Sequence, residues 1–157
     1  MRTFEVQPVA FVRGGRSTPD DDFWGGTTAR IELADTMPAE ALRGIEAFSH
    51  LEIVYLFDRV DPAQVVAGAR HPRGNPTWPL LGIFAQRGKD RPNRIGCTIV
   101  RLVDVQPRTL VVEGLDALDG TPVLDIKPVF AEYLPDGQVT QPPWSHEIMR
   151  DYWSVGH

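Results

Sequence analysis

One cysteine, Cys97, stands in 157 residues. A lone thiol closes no intramolecular disulfide and builds no cysteine-based zinc site, so a reducing compartment is the default. Histidine is almost as scarce. His50, His71, His146 and His157 are scattered without metal-ligand spacing; they read as structural or exposed side chains, and no metal is expected. No apolar run approaches the ~20 residues of a membrane span. In the opening stretch "MRTFEVQPVAFVRGG", Glu5 and Gln7 interrupt the apolar run that a signal peptide needs. The expectation is a cytoplasmic protein with no membrane partner. Glycine-rich phosphate fingerprints such as G-x-G-x-x-G are absent. So is any excess of positive charge: the net charge is −5, which argues against broad non-specific nucleic-acid binding, a process driven by phosphate neutralisation. Basic charge is local instead. Arg70, Arg73, Arg87, Lys89, Arg91, Arg94 and Arg101 fall within 32 residues, with Asp90 and Asp104 as the nearby acids.

What remains is an ordinary globular composition, 42% hydrophobic and 24% charged. The length suits one domain, able to bury roughly 70% of its unfolded surface without staples. Residues 3–13, "TFEVQPVAFVR", read as a first strand. "GGRSTPDDDFWGG" (14–26) is a loop rich in turn residues, anchored by Phe23 and Trp24. "TTARIELA" (27–34) alternates as a second strand. In "DTMPAEALRGIEAF" (35–48), Pro38 suits a first helical turn. Ala41, Ile45 and Phe48 sit at i, i+4, i+7, which predicts a helix with one apolar face. "LEIVYLF" (51–57) is a strand rich in β-branched and aromatic residues. "LLGIFAQ" (80–86), "RIGCTIVRLVDV" (94–105) and "TLVVEGL" (109–115) predict three more strands, and "PPWSHEIMRDYW" predicts a short terminal helix starting near Ser145. Strands with little helix between them do not make alternating βαβ units. The fold class expected is mainly β: a single small barrel over residues 1–140 with one or two helices, followed by a tail, 141–157, with helical pattern.

Three constellations carry chemistry. Ser49 and His50 fall at a helix-to-strand junction, with Asp58 and Arg59 at the strand's far end. A Ser-His dipeptide makes no hydrolase by itself, because nucleophile and base need facing side chains and an orienting group. Arg87, Arg91 and Arg94 occupy one inter-strand connection that Pro92, Asn93 and Gly96 shape. Such a loop can grip an anion by bidentate contacts, or can be a solvated basic loop. In "LDGTPVLDIKP" (118–128), Asp119 and Gly120 form a turn and Pro122 fixes its exit. Asp116, Asp119, Asp125 and Lys127 crowd about this turn. Carboxylates there can hold hydroxyls or a cationic ligand; EF-hand spacing is absent. A surface turn with an Asp-Lys pair is the equally open alternative.

Four ordered segments carry a resemblance: "GIEAFSHLEIVYLF", "HPRG", "GIFAQRGKDRPNRIG" and "LDGTPVLDIKP". The chain resembles the TrmO-like (YaeB/VirR-like) tRNA methyltransferases, which show an F-S-H run, an H-P-R turn, an R-P-N-P-I-G loop and D-G-T-P-x-x-D-I-K-P-Y in that order. The match spans 44–128 and extends weakly to "VAFVRGG". The resemblance implies a β-barrel that uses S-adenosyl-L-methionine to methylate the exocyclic nitrogen of threonylcarbamoyladenosine, beside the anticodon of tRNA. It also implies a homodimer with the cofactor near the subunit interface. The chain departs from the pattern at Arg94, at Val129 and in the "DFWGG" segment, and longer members carry a further C-terminal domain. These departures bear on the tRNA substrate more than on the cofactor.

Carried over residue by residue, the resemblance places Arg87 near the cofactor with Cys97 in its apolar wall. Glu113, Gly114, Leu115 and Asp116 supply backbone amides and a carboxylate. Asp58 and Arg59 line the same pocket, and Trp24, Gly25 and Gly26 align loosely with it, the indole covering the adenine. Methyl transfer is an in-line displacement, so alignment supplies much of the catalysis. A carbamoylated nitrogen is a weak nucleophile whose proton needs an acceptor. Asp125 and Asp119 are the candidates, with Lys127 stabilising negative charge. Arg70, Arg73, Arg91, Asn93 and Arg94 are candidates for holding anticodon-loop phosphates or the threonyl carboxylate. Two alternatives stay open: a methyltransferase of the same fold acting on another RNA or small molecule, and a non-catalytic barrel that binds a nucleotide-like ligand.

Overall fold

The structure, a computed structural model, describes residues 1–156, so His157 lies outside the described residues. Six strands close a barrel: β1 (Ala10–Arg13), β2 (Thr28–Leu33), β3 (His50–Leu56), β6 (Ile95–Gln106), β7 (Thr109–Glu113) and β8 (Pro122–Pro128). They run in the order β1-β2-β7-β6-β3-β8, every neighbour antiparallel. Period-two patterning decides which side chains enter. In β3, Leu51, Ile53 and Tyr55 are buried while His50, Glu52, Val54 and Leu56 alternate outward. Val12, Ile31, Val100, Leu110, Val112 and Val123 join them from the other strands, so the interior is filled by side chains, as a small barrel requires.

The expected mainly β barrel is present, with differences in its parts. The first strand spans Ala10–Arg13 rather than 3–13. The predicted helix at 35–48 is instead two 3₁₀ turns, Ala39–Leu42 and Ile45–Ala47. Gly44 between them has φ 88°, a left-handed conformation that breaks a right-handed helix. The buried residue there is Leu42, and Ala41 is exposed. The expected strand at 80–86 contributes two residues to a ribbon outside the barrel, β4 (Ala69–Arg70) with β5 (Leu81–Gly82). The one α-helix among the described residues, α1 (Pro143–Ile148), begins two residues before Ser145.

The largest revision concerns 118–128. Most of this proline-braced turn is a strand, β8, and it closes the barrel between β1 and β3. Its prolines stand at its first and last positions, where the ladder needs least from a missing N–H. One extra residue, Leu124, sits opposite the step from Val54 to Tyr55 and breaks the alternation.

Antiparallel closure gathers three connections at one end of the barrel: 14–27, 57–94 and 114–121. Asp119 N donates to Arg16 O at 2.7 Å and Gly120 N to Val12 O at 2.7 Å, stitching the third connection to the first and to β1. The other end carries 34–49 and the tight β6–β7 turn.

Candidate functional site

At the mouth where those connections meet, Asp116 is the hub. Tyr55, inward on β3, donates its hydroxyl to Asp116 Oδ1 at 3.0 Å. Thr98, inward on β6, donates to the same oxygen, and Tyr152, beyond α1, donates to Oδ2. Gly96 makes the Tyr55 position possible: a Cβ there would lie 2.6 Å from the phenol ring. Burial first, and the Asp116 charge second, push both tyrosine hydroxyls far above their ordinary range. They therefore stay protonated and act as donors throughout the physiological range.

Trp24 is 5% exposed, and the Arg16 guanidinium lies 4.2 Å from its ring centroid. Arg16 also donates to the carbonyls of Asp22 and Phe23 and pairs with Leu118, so the 14–26 loop has a third anchor besides its aromatics. Beside it opens a cleft of ≈ 700 Å³ lined by Arg16, Asp20, Asp22, Gly25, Gly26 and Val155, among others. Of the expected cofactor residues, Gly25 and Gly26 line this cleft, and the buried Trp24 stands in the chain between two lining residues, Phe23 and Gly25. Gly114 N is already engaged with Thr27 O at 2.9 Å, so it is not a free amide. Arg59 donates to Asp119 O; Asp58 is exposed beside it.

The sheet divides the remaining candidates. Val54 points outward and pairs with both Cys97 and Asp125, so those two side chains lie on the outer wall while Asp116 sits over the inner mouth. There the Cys97 thiol donates to Glu52 Oε1 at 2.9 Å. Burial, then the Glu52 hydrogen bond and charge, raise that thiol to about 11. Arg87 reaches the Cys97 carbonyl at 3.0 Å. Asp125 pairs with Lys127, whose ammonium is held above its ordinary value by that contact. Asp119 stands apart from both sets, accepting from Gly14 N at 3.0 Å.

The basic connection is tightly braced. Arg70 pairs with Asp90 at 2.9 Å and Arg73 with Asp22 at 3.0 Å. Arg91 donates to Gln86 O at 2.7 Å, and Arg94 to Val60 O at 2.8 Å. Every expected anion-binding arginine thus spends at least one donor on the protein, though a guanidinium carries five. Arg73, Asn93 and Arg94 adopt left-handed backbone, with φ 53°, 63° and 50°. Such strain in residues other than glycine concentrates at functional loops. No group of three or more His, Cys, Asp or Glu among the described residues is placed to hold a metal ion. Ser49 Oγ lies 2.7 Å from His50 Nδ1 in an exposed pair at the end of β3 away from Asp116.

Sequence reading singled out Asp116 but not Tyr55, Thr98 or Tyr152. A signal for two of them existed: each carries a hydroxyl at an inward strand position, where an apolar side chain is the default.

Comparison with known proteins gives this geometry a family. A model described as the tRNA-methyltransferase O N-terminal domain matches residues 16–134. An Escherichia coli tRNA (adenine(37)-N6)-methyltransferase is 43% identical over 116 residues, covering 69% of this chain and 48% of that protein. A Rhizobium radiobacter protein named "Probable S-adenosyl-L-methionine-binding protein VirR" is 41% identical, covering 66% of this chain and 55% of its own. A crystal structure of TrmO from P. aeruginosa superposes with a TM-score of 0.74 at 28% identity, covering 92% of this chain and 62% of that one. The chain spans about half the length of these bacterial relatives. With three quarters of its length inside the matched model, the chain belongs to the family of the tRNA-methyltransferase O N-terminal domain.

Proposed function

We propose that the chain binds S-adenosyl-L-methionine at the barrel mouth and methylates the exocyclic nitrogen of threonylcarbamoyladenosine beside the tRNA anticodon. One observation carries the reading: a carboxylate fixed by three hydroxyls, one of them from the segment that pairs with the loop lining the cleft, in a chain of this family. The donor set fits the cofactor. Asp116 offers an acceptor to ribose hydroxyls or a countercharge to a cation, and the Trp24 region supplies apolar cover. When bound, the cofactor supplies an electrophilic methyl group.

The protein's part is to hold and to move a proton. Asp116 orients the ligand through a carboxylate that is itself oriented. Arg87, braced on the Cys97 carbonyl, lends positive charge near the inner cluster. Arg70, Arg73, Arg91 and Arg94, with Asn93, present their unspent donors to phosphates or to the threonyl carboxylate. Asp125 accepts the acceptor's proton with Lys127 beside it; this requires the base to lie along the outer wall of β3 and β8. Asp119 is better suited to bracing the turn. A second copy of the chain covers the exposed Ile95, Ile99 and Val103 of β6, and the RNA substrate places the protein in the cytoplasm.

The test is twofold. Calorimetry with S-adenosyl-L-methionine and its demethylated product reads binding, and methyl incorporation into tRNA from a strain lacking the gene reads the reaction. Asp125→Asn should abolish turnover and leave donor affinity intact; unchanged turnover removes it from the mechanism. The commitment of every loop arginine to protein acceptors favours one other reading, a methyltransferase of this fold on a less anionic substrate. Methylation without dependence on tRNA would establish that instead.

A further inference from the structure

The segment after α1 is held against the site as a strap. Phe23 N donates to Asp151 O at 2.9 Å, Trp24 N donates to Tyr152 O at 2.7 Å, and Gly25 pairs in parallel with Val155. Gly25 lies so close to the strap that a Cβ would be driven into the Trp153 carbonyl. From the far side, the Trp78 indole donates to Glu147 Oε2 at 2.9 Å and ties α1 to the 71–79 connection. The Tyr152 and Trp153 rings meet edge to face at 4.9 Å. Docked this way, the strap delivers one hydroxyl to Asp116 Oδ2, while β3 and β6 hold Oδ1 through Tyr55 and Thr98. A carboxylate has about four acceptor positions. Three are filled from three separate elements, so the group cannot turn, and one is left for a ligand donor.

We infer that Tyr152 is a positioning residue, fixing the Asp116 carboxylate for the ligand, and that Gly25 serves ligand binding through the strap rather than by touching the ligand. The inference rests on the assignment of Asp116 as ligand acceptor. It changes the meaning of the glycine: its missing side chain makes room for the Trp153 carbonyl, and the strap in turn places Tyr152. It also explains why a carboxylate at an open mouth needs a third donor. Two hydroxyls on Oδ1 leave Oδ2 free to pivot, and the strap is the element that stops it.

The experiment is a double-mutant cycle read by calorimetry with S-adenosyl-L-methionine and S-adenosylhomocysteine. Tyr152→Phe keeps the ring and removes the hydroxyl. It should weaken binding about five- to tenfold, less than the full worth of a hydrogen bond to a charged group, because the ligand loses an oriented acceptor and not a contact. It should also raise KM for the donor by a similar factor with kcat within about twofold, because the affected group binds rather than reacts. Gly25→Ala leaves Tyr152 intact but expels the strap, and should weaken binding at least as much. The double variant should be no worse than Gly25→Ala, because both act on one interaction. Tyr152→Phe binding as tightly as the unsubstituted chain, or more tightly, overturns the inference, as do losses that multiply. A chain that binds neither compound overturns the functional proposal instead. The strap has its own readout in amide exchange of the free protein. Gly25→Ala must release the Phe23 and Trp24 amides and Tyr152→Phe must not; protection retained in Gly25→Ala overturns the strap.

Discussion

Asp116 and Asp125 are nine residues apart in sequence, yet they live under different rules. Asp116 faces the barrel mouth and accepts from three hydroxyls, two of them on buried side chains. Asp125 faces the outer wall and meets one lysine on an exposed surface. The first group has exchanged water for fixed donors, so its geometry is set before any ligand arrives, which is what preorganised recognition demands. The second keeps its water, and its partner can swing away. A carboxylate's usefulness for binding is therefore decided by where its backbone carries it: Asp116 hangs from the 114–121 connection over the mouth, and Asp125 stands on the outward face of β8.

The largest effect should come from breaking the inner cluster. Asp116→Ala strands the Tyr55 and Thr98 hydroxyls in the core without their charged acceptor. An unmatched buried polar group costs about 1–3 kcal/mol, so unfolding by urea should show a loss of about 2–4 kcal/mol. Asp116→Asn keeps the shape and one acceptor oxygen. It should fold, and should weaken binding of S-adenosylhomocysteine about 10- to 100-fold. Wild-type affinity in Asp116→Asn would show that the ligand does not use this group, and the contrast between the two aspartates would lose its functional meaning.

A middle-sized effect separates the wall from the mouth at Cys97, whose thiol shares the outer face with Asp125. Burial and Glu52 hold it at about 11 against an ordinary 9.0. At pH 8 it should react with iodoacetamide about a hundredfold more slowly than an unperturbed thiol, following its thiolate fraction. Glu52→Gln removes the acceptor's charge, lowers the thiol toward its ordinary value and should speed alkylation several-fold; an unchanged rate would leave burial as the whole cause. The sign for stability follows. The folded thiol binds its proton more tightly than the unfolded one, so its contribution is constant below about pH 9 and is lost between about 9 and 11.

How much of this was legible in the sequence depends on distance along the chain. β3 and β6 were readable because their inward positions repeat every second residue. β8 was not, because Asp119, Gly120 and Pro122 announce a turn and Leu124 interrupts the alternation. The stretch 35–48 imitated a helix through Ala41, Ile45 and Phe48, yet Gly44 stops it and the barrel buries Leu42 instead. Asp116 could be picked out, but its partners stand 61, 18 and 36 residues away. Nothing local marks a tyrosine on a strand as a hydroxyl donor rather than core. Gly25 read as a turn residue and a loosely aligned cofactor position; in the structure it is where the chain's own strap approaches closely.

The smallest effect belongs to Lys127. Its ammonium is raised by the hydrogen bond and charge of Asp125, and it is fully open to solvent. Because the folded value lies above the unfolded one, any contribution is present at neutral pH and is lost only as pH rises through the alkaline range. Water and salt screen such a pair, and two side chains must be ordered to form it. Lys127→Ala should therefore leave the thermal midpoint unchanged within error at pH 7, in low and moderate salt alike. A turnover loss in that variant, with stability and donor affinity untouched, would show that the outer wall meets the RNA and that Asp125 works there with its lysine. A clear drop in midpoint would mean that the wall is covered, as by a second copy of the chain, and that the pair is not the open surface contact described for one chain alone.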